Sequence, residues 1–295
     1  MRTRPADPNH YGELVELAAG RLPHATRSEL ARSFEMPEMF RTIVIEEAVD
    51  DEERLLGYGV LASPALVPED QAFLRVIVAR AQEGRGVGGQ LRAALMRRLP
   101  PGTTRLSAGV DDDDPRSLDV ARHWGFEVQE HSIASRLDLT VLPVPDPPEG
   151  VSLHECPDLE FADPEAVGQM LKASQTNPEA RAGWVFTLES LAAQVGDDLP
   201  VCVLARVNGE PAAMSFGTVK GATLLILYSG VDPARRGRGL MKLVKQQAHL
   251  VAARLGASES RTVNEEHNVG IRRINEALGY VATSGVFRLS QQLPD

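Results

Sequence analysis

The chain contains one unit written twice in diverged form, and this constrains its fold more than any local pattern does. Gly84-Arg85-Gly86 falls on Gly237-Arg238-Gly239 at an offset of 153 residues (237 − 84), and the same offset carries Val78 onto Val231. Trp124-Gly125-Phe126 falls on Leu278-Gly279-Tyr280 at an offset of 154 (279 − 125), so one inserted loop residue separates the two registers. Ordered matches over some fifty residues predict two copies of one supersecondary unit. At 295 residues the chain also sits near the size where a single core stops growing.

The join is predicted at the proline-dense segment Leu142-Pro143-Val144-Pro145-Asp146-Pro147-Pro148-Glu149-Gly150, which cannot continue a helix. A first domain over 1–140, a semi-rigid linker over 141–150 and a second domain over 151–295 follow. In the first copy, helical patterns at Tyr11 to Ala19 and Arg27 to Phe34 precede strand-like runs at Thr42 to Glu47, Leu55 to Ala62 and Ala72 to Ala79. A glycine turn and a helix with Val87, Leu91 and Leu95 on one face come next. In the second, Asp163-Pro164-Glu165 reads as a helix start. Strands are expected at Val201 to Val207, Ala212 to Val219 and Thr223 to Val231. A helix follows with Leu240, Val244, Val251 and Leu255 inward, then a short strand at Arg261 to Asn264. The last helix, Val269 to Leu278, is stopped by Gly279. This order predicts a mixed α/β architecture, α+β around a mixed sheet.

Composition excludes several classes. A net charge of −10 argues against a general nucleic-acid binder. No apolar run approaches the ~20 residues needed to span a bilayer, and the first residues do not resemble a signal peptide. Two cysteines, Cys156 and Cys202, far apart in sequence, suggest neither a disulfide framework nor a zinc site, and no metal ligands are assigned. A cytoplasmic monomer or homodimer is the expectation.

Chemistry points to Val231-Asp232-Pro233-Ala234-Arg235-Arg236-Gly237-Arg238-Gly239-Leu240-Met241. An apolar strand enters a glycine turn and a helix starts at once, which aims main-chain N–H groups and a positive helix end at one place. Arginines add charge complementary to a phosphate. A nucleotidase loop would need Lys-Ser/Thr after the last glycine, and a dinucleotide fold a third glycine and a downstream acid; neither occurs.

The stretch resembles the acetyl-CoA loop of the GCN5-related N-acetyltransferase (GNAT) superfamily, Gln/Arg-x-x-Gly-x-Gly/Ala. Asn264-Glu265-Glu266-His267-Asn268 through Leu278-Gly279-Tyr280 resembles that family's asparagine, last helix and Leu-Gly-Phe ending. The doubled arrangement is similar to tandem members of the mycothiol-synthase type, without implying that reaction. The resemblance implies two tandem GNAT-like acyltransferase domains and transfer of an acetyl group from acetyl-CoA to the amine of a small-molecule acceptor. A non-catalytic CoA-binding scaffold and a longer-acyl transferase are the alternatives.

By that resemblance Arg236 opens the motif and main-chain groups of Gly237, Arg238, Gly239 and Leu240 hold the CoA diphosphate. Ser229 and Val231 pair with the pantetheine arm, and Asn268 matches the asparagine that contacts it. Met241 departs from the pattern, and its side chain is expected to turn into the core. The first copy offers Val78, Gly84, Arg85, Gly86, Val87 and Gly88 as a second candidate set. Glu83 replaces the opening Arg/Gln there, however, and its charge is repulsive unless Arg80 or Arg85 neutralises it. Asp114 replaces the asparagine. The tyrosine acid of many members is absent, its positions being Asn275 and Ala121, and Asn275 is a candidate catalytic residue at that place. Tyr228, on the strand entering the loop, and Glu265, with Glu266 and His267, are the candidate acid and base. Trp184 and Phe186 are candidates to line an acceptor pocket, and His249 reads as an exposed or satisfied helix residue.

Overall fold

The structure is a computed structural model and describes residues 1–22, 27, 30–31, 34, 40–64, 67–156, 164–173 and 187–294. Asp163, Trp184, Phe186 and much of the Arg27 to Phe34 pattern lie outside the described residues. The chain divides into two compact units, Met1–His131 with Val286–Asp295, and Ser132–Gly285.

Unit 1 contains β1 (Arg2–Pro5), α1 (Tyr11–Ala19), β2 (Phe40–Val49), β3 (Leu55–Pro64), β4 (Gln71–Val78), α2 (Val87–Met96), β5 (Arg105–Asp111), α3 (Pro115–His123) and the start of β6 (Glu127–Asp138). Strands β1 to β4 pair antiparallel in chain order, and β4 pairs parallel with β5. The far edge of β5 takes Val286–Gln292, the end of the last strand, β12 (Val281–Gln292), antiparallel.

Unit 2 contains β7 (Val151–Glu155), α4 (Pro164–Ala173), α5 (Leu188–Val195), β8 (Leu199–Val207), β9 (Glu210–Lys220), β10 (Thr223–Val231), α6 (Leu240–Arg254), β11 (Glu259–Glu265) and α7 (Val269–Leu278). Strands β7 to β10 are antiparallel neighbours, and β10 pairs parallel with β11. The far edge of β11 takes Ser132–Asp138 of β6 antiparallel. Each copy therefore gives the end of its last strand to the other unit. The repeat predicted the elements in order, but which sheet a closing strand joins leaves no periodic trace in sequence. Residues 142–150 form neither helix nor strand; they belong to unit 2, where Leu142 packs on its core and the Gly150 carbonyl accepts from the Asn208 N–H at 2.8 Å.

Strand β9 is buried along Ala212–Val219, as expected of a strand covered on both faces. One face, with Ala213, Val203 and Leu224, packs on Leu240, Met241, Val244 and Ala248 of α6. The other, with Met214, Phe216 and Cys202, packs on Val167 and Met170 of α4 and Leu191 of α5. The inner stripe of α6 differs from the predicted one: Leu255 is exposed, and Lys245 and His249 are buried instead. Cys156 and Cys202, remote in sequence, are neighbours here. The Cys156 N–H donates to the Cys202 carbonyl at 2.8 Å, and a hydrogen bond with the Cys156 thiol, then burial, push the Cys202 thiol up; neither is in a disulfide.

Candidate functional site

The parallel pairing of β10 with β11 stops at Ile226 and Thr262. At that point β10 slips register against β9, between Ile226 and Tyr228. The bulge reverses the alternation of the strand: Leu224 and Ile226 face α6, whereas Leu227 and Tyr228 turn to the α4 side. From Leu227 to Val231 the β11-facing edge of β10 has no strand partner among the described residues. An edge of that kind can take an added strand.

The unpaired edge runs straight into the glycine turn. Gly237 and Gly239 have φ of +77° and +74°, left-handed conformations that favour glycine, and a Cβ at either would meet nothing within 4 Å. The main chain is therefore bare on its outer side. Gly239 is the N-cap of α6 and no side chain caps that helix, which leaves its first N–H groups available to an anion. Leu240 and Met241 turn inward among the core side chains, so neither crowds the turn. Arg235 is engaged elsewhere: its guanidinium donates to the carbonyls of Val207 and Glu210 and sits 3.3 Å from Asp232. Arg236 and Arg238 supply the charge at the turn.

A fit test for an acyl-CoA arm comes from Ser229. Its Oγ is buried and has no hydrogen-bond partner among the described residues. An orphaned hydroxyl on the open stretch of β10 matches a site that pairs with a ligand's polar arm.

The predicted catalytic residues are not gathered in one place. The Tyr228 hydroxyl is buried and donates to the Met170 carbonyl at 2.8 Å, so a proton donated elsewhere would break that bond. A Cβ on Gly230 would collide with the Tyr228 ring, which explains the glycine. Glu265, at the end of β11, is buried with its carboxylate 3.1 Å from His267 Nε2. Asn268 caps α7, its Oδ1 accepting from the Ile271 N–H at 3.4 Å.

Asn275 belongs to a buried network that the sequence did not reveal. Lys245 Nζ donates to Asn275 Oδ1 at 2.6 Å, and Asn275 Nδ2 donates to Asn264 Oδ1 at 2.7 Å. Lys245 also lies 5.3 Å from the centre of the Tyr280 ring, whose hydroxyl contacts His249 Nε2 at 2.8 Å and Ser260 Oγ at 2.7 Å. Burial pulls the Lys245 ammonium down to about 7. Burial, and then the nearby lysine, pull His249 to about 3. The only signal in sequence is a lysine four residues from Met241 on the inner side of a helix.

The first copy keeps the turn and differs around it. Gly84 and Gly86 are left-handed too, at +72° and +81°. Val87 is buried in the core of unit 1, and a Cβ on Gly88 would touch Trp124. Beyond Phe73, β4 has no pairing with β5, so Val78 lies on an open edge like its counterpart Val231. Glu83 is neutralised by Arg21 at 2.8 Å and Arg116 at 2.5 Å rather than by Arg80 or Arg85.

Comparison with known proteins bears on this geometry. A family model described as an acetyltransferase (GNAT) domain matches residues 154–259, which include the open edge and the glycine turn. Within residues 154–259 the chain is therefore similar to a GNAT acetyltransferase domain. A GCN5-related N-acetyltransferase from Sphaerobacter thermophilus matches with a TM-score of 0.78 at 17% identity, over 99% of this chain and 95% of that one. A tandem GNAT protein from the clavulanic acid biosynthesis pathway matches with a TM-score of 0.74 at 20% identity, over 100% and 99%. A putative acetyltransferase from Pyrococcus horikoshii gives 0.58 at 15%, over 99% and 89%. At these identities the likeness shows the fold, a tandem GNAT fold that runs the length of the chain. No curated protein matches. No helix among the described residues is long and apolar enough to cross a membrane.

Proposed function

We propose that unit 2 of this GNAT protein binds acetyl-CoA along β10 and the following turn and transfers the acetyl group to the amine of a small molecule. The observation that carries the reading is the parting of β10 from β11 at Ile226 and Thr262 beside a turn with open main chain at Gly237 and Gly239. Main-chain N–H groups of Gly237 to Leu240, with Arg236 and Arg238, hold the diphosphate. The edge from Leu227 to Val231 holds the pantetheine arm as an added strand, with Ser229 Oγ gaining a partner.

Acetyl-CoA supplies the activated thioester, which the amine attacks directly. The amine nitrogen bonds to the acyl carbon and the C–S bond breaks with its electron pair remaining on sulphur. The main-chain N–H near Val231 steadies the carbonyl oxygen as it gains charge. Glu265, held by His267 on the strand bordering the opening, accepts the amine proton. Tyr228 braces the bulge against α4.

The test pairs titration calorimetry of acetyl-CoA with thiol release in the presence of a panel of small amines. Saturable binding with amine-dependent release is the expected result. Absence of binding overturns the assignment of the turn, and tight binding with silence across the panel favours a binding-only role.

A further inference from the structure

Lys245 is fully buried and pairs with no carboxylate among the described residues. An ammonium in such surroundings is costly, and a methionine of similar length would fill the space without that penalty. What the lysine provides is direction. An ammonium has only hydrogens to offer, so the Asn275 carbonyl oxygen must face it and the Asn275 Nδ2 must face away. The Nδ2 donates to Asn264 Oδ1, which also accepts from Thr262 Oγ1 at 3.4 Å. With its oxygen occupied by both, Asn264 has its own Nδ2 as the group with no assigned role among the described residues.

Asn264 stands two residues beyond Thr262, the last residue of β11 paired with β10. At about 3.3 Å per residue it lies roughly 7 Å past the apex of the opening. An arm anchored at the glycine turn and laid along β10 from Val231 to Leu227 ends at that same apex. The donors thus run in one sense, from the buried charge through Asn275 to the border of the opening, the order in which hydrogen bonds polarise one another toward an anion.

We propose that Lys245 is a positioning residue for acyl transfer: through Asn275 and Asn264 it aligns donors toward the apex of the opening and stabilises the thiolate that leaves there. This rests on the reading that the opening holds the acyl-CoA arm. When the C–S bond breaks, the electron pair stays on sulphur, and the aligned donors and the charge behind them meet it. The other groups around Lys245 are neutral at pH 7. His249 on α6 is depressed by burial, Tyr280 is raised by burial, and Asn275, Asn264, Thr262 and Ser260 carry no charge.

The experiment needs no acceptor. Unlabelled CoA is bound to wild type, Lys245→Met and Asn275→Ala, and the ionisation of its thiol is followed by thiolate ultraviolet absorbance against pH, with desulpho-CoA as the blank. Circular dichroism confirms that each variant is folded. The bound thiol is expected to ionise at least tenfold more readily in wild type than in either variant, with CoA affinity changed less than about threefold. Asn275→Ala keeps the lysine and cuts the chain, so it reports even where Lys245→Met does not fold. Equal thiol ionisation in wild type and a folded variant, with CoA bound to both, overturns the role of Lys245 and leaves the turn assignment standing. Failure of wild type to bind CoA overturns both.

Discussion

Gly84 and Gly86 in unit 1 and Gly237 and Gly239 in unit 2 adopt the same left-handed pair of conformations, and each turn opens an uncapped helix on the strand edge of a splayed parallel pair. The surroundings diverge. In unit 1 a carboxylate, Glu83, occupies the entry and is clamped by Arg21 and Arg116, while Arg21 also lies 3.6 Å from Asp114. In unit 2 the same position is Arg236. The strand pairing in unit 1 runs in unbroken register from Gly57–Val78 to Ala62–Phe73, whereas β10 carries a bulge. Beneath the helices, the unit 1 positions that correspond to Lys245 and Asn275 are Arg92 and Ala121. Arg92 stacks on Trp124 at 5.6 Å and makes no asparagine chain. The comparison teaches that glycines can form the same cradle beside opposite charges. An anion site needs both.

The largest effect should separate the two turns. Gly239→Asp places a carboxylate and a strained main chain at the turn proposed to hold the diphosphate, and should lower CoA affinity at least 100-fold while the circular dichroism spectrum is retained. Gly86→Asp should change it less than about threefold. Calorimetry showing equal losses would erase the distinction between the copies.

A second contrast is in stability against pH. The Lys245 pKa in the folded state lies near 7 against 10.5 for the free side chain. Below about 7 both folded and unfolded states hold the proton and the difference is constant. Between about 7 and 10.5 the unfolded chain holds more protons, so stability rises with pH, by on the order of a few kcal/mol. Chemical denaturation from pH 7 to 10 should show that rise in wild type and its loss in Lys245→Met. Arg92→Met should leave the pH profile unchanged, because a guanidinium stays charged throughout.

The smallest effect concerns the strands. Tyr228→Phe removes the hydrogen bond to Met170 and should cost about 1 kcal/mol, with thiol release retained within about threefold. At the corresponding place in unit 1, Arg75 is exposed, and Arg75→Ala should stay within about 0.5 kcal/mol. A hundredfold loss of thiol release in Tyr228→Phe would instead make that hydroxyl the proton donor.

Most of the architecture was legible because it is written in spacing: Gly237 and Gly239 mark a turn, and Gly279, at φ +91°, stops α7 where predicted. What stayed hidden was pairing at a distance. A lysine on a helix reads as a solvated residue until its neighbours are known, so the spacing leaves Lys245 out of the inner stripe. Of the two readings of His249, exposed or satisfied, the second holds, since it is buried with Nε2 2.8 Å from the Tyr280 hydroxyl. Glu83 was expected to meet Arg80 or Arg85, yet its partners are Arg21 and Arg116, because sequence proximity says little about which guanidinium folds back. Met241, which breaks the loop pattern on paper, is a core residue, as expected of its side chain.

The exchange of closing strands sets a limit on dissecting this protein. Cut at the proline segment, the leading fragment would keep β6, which borders β11 in the intact chain, and lose the β12 residues that cover β5. Either β5 stays bare and prone to self-association, or β6 folds back to replace the missing neighbour. During synthesis the same dependence makes the opening half wait for Val286–Gln292 before its sheet is complete, so the order of translation is not the order in which the sheets close.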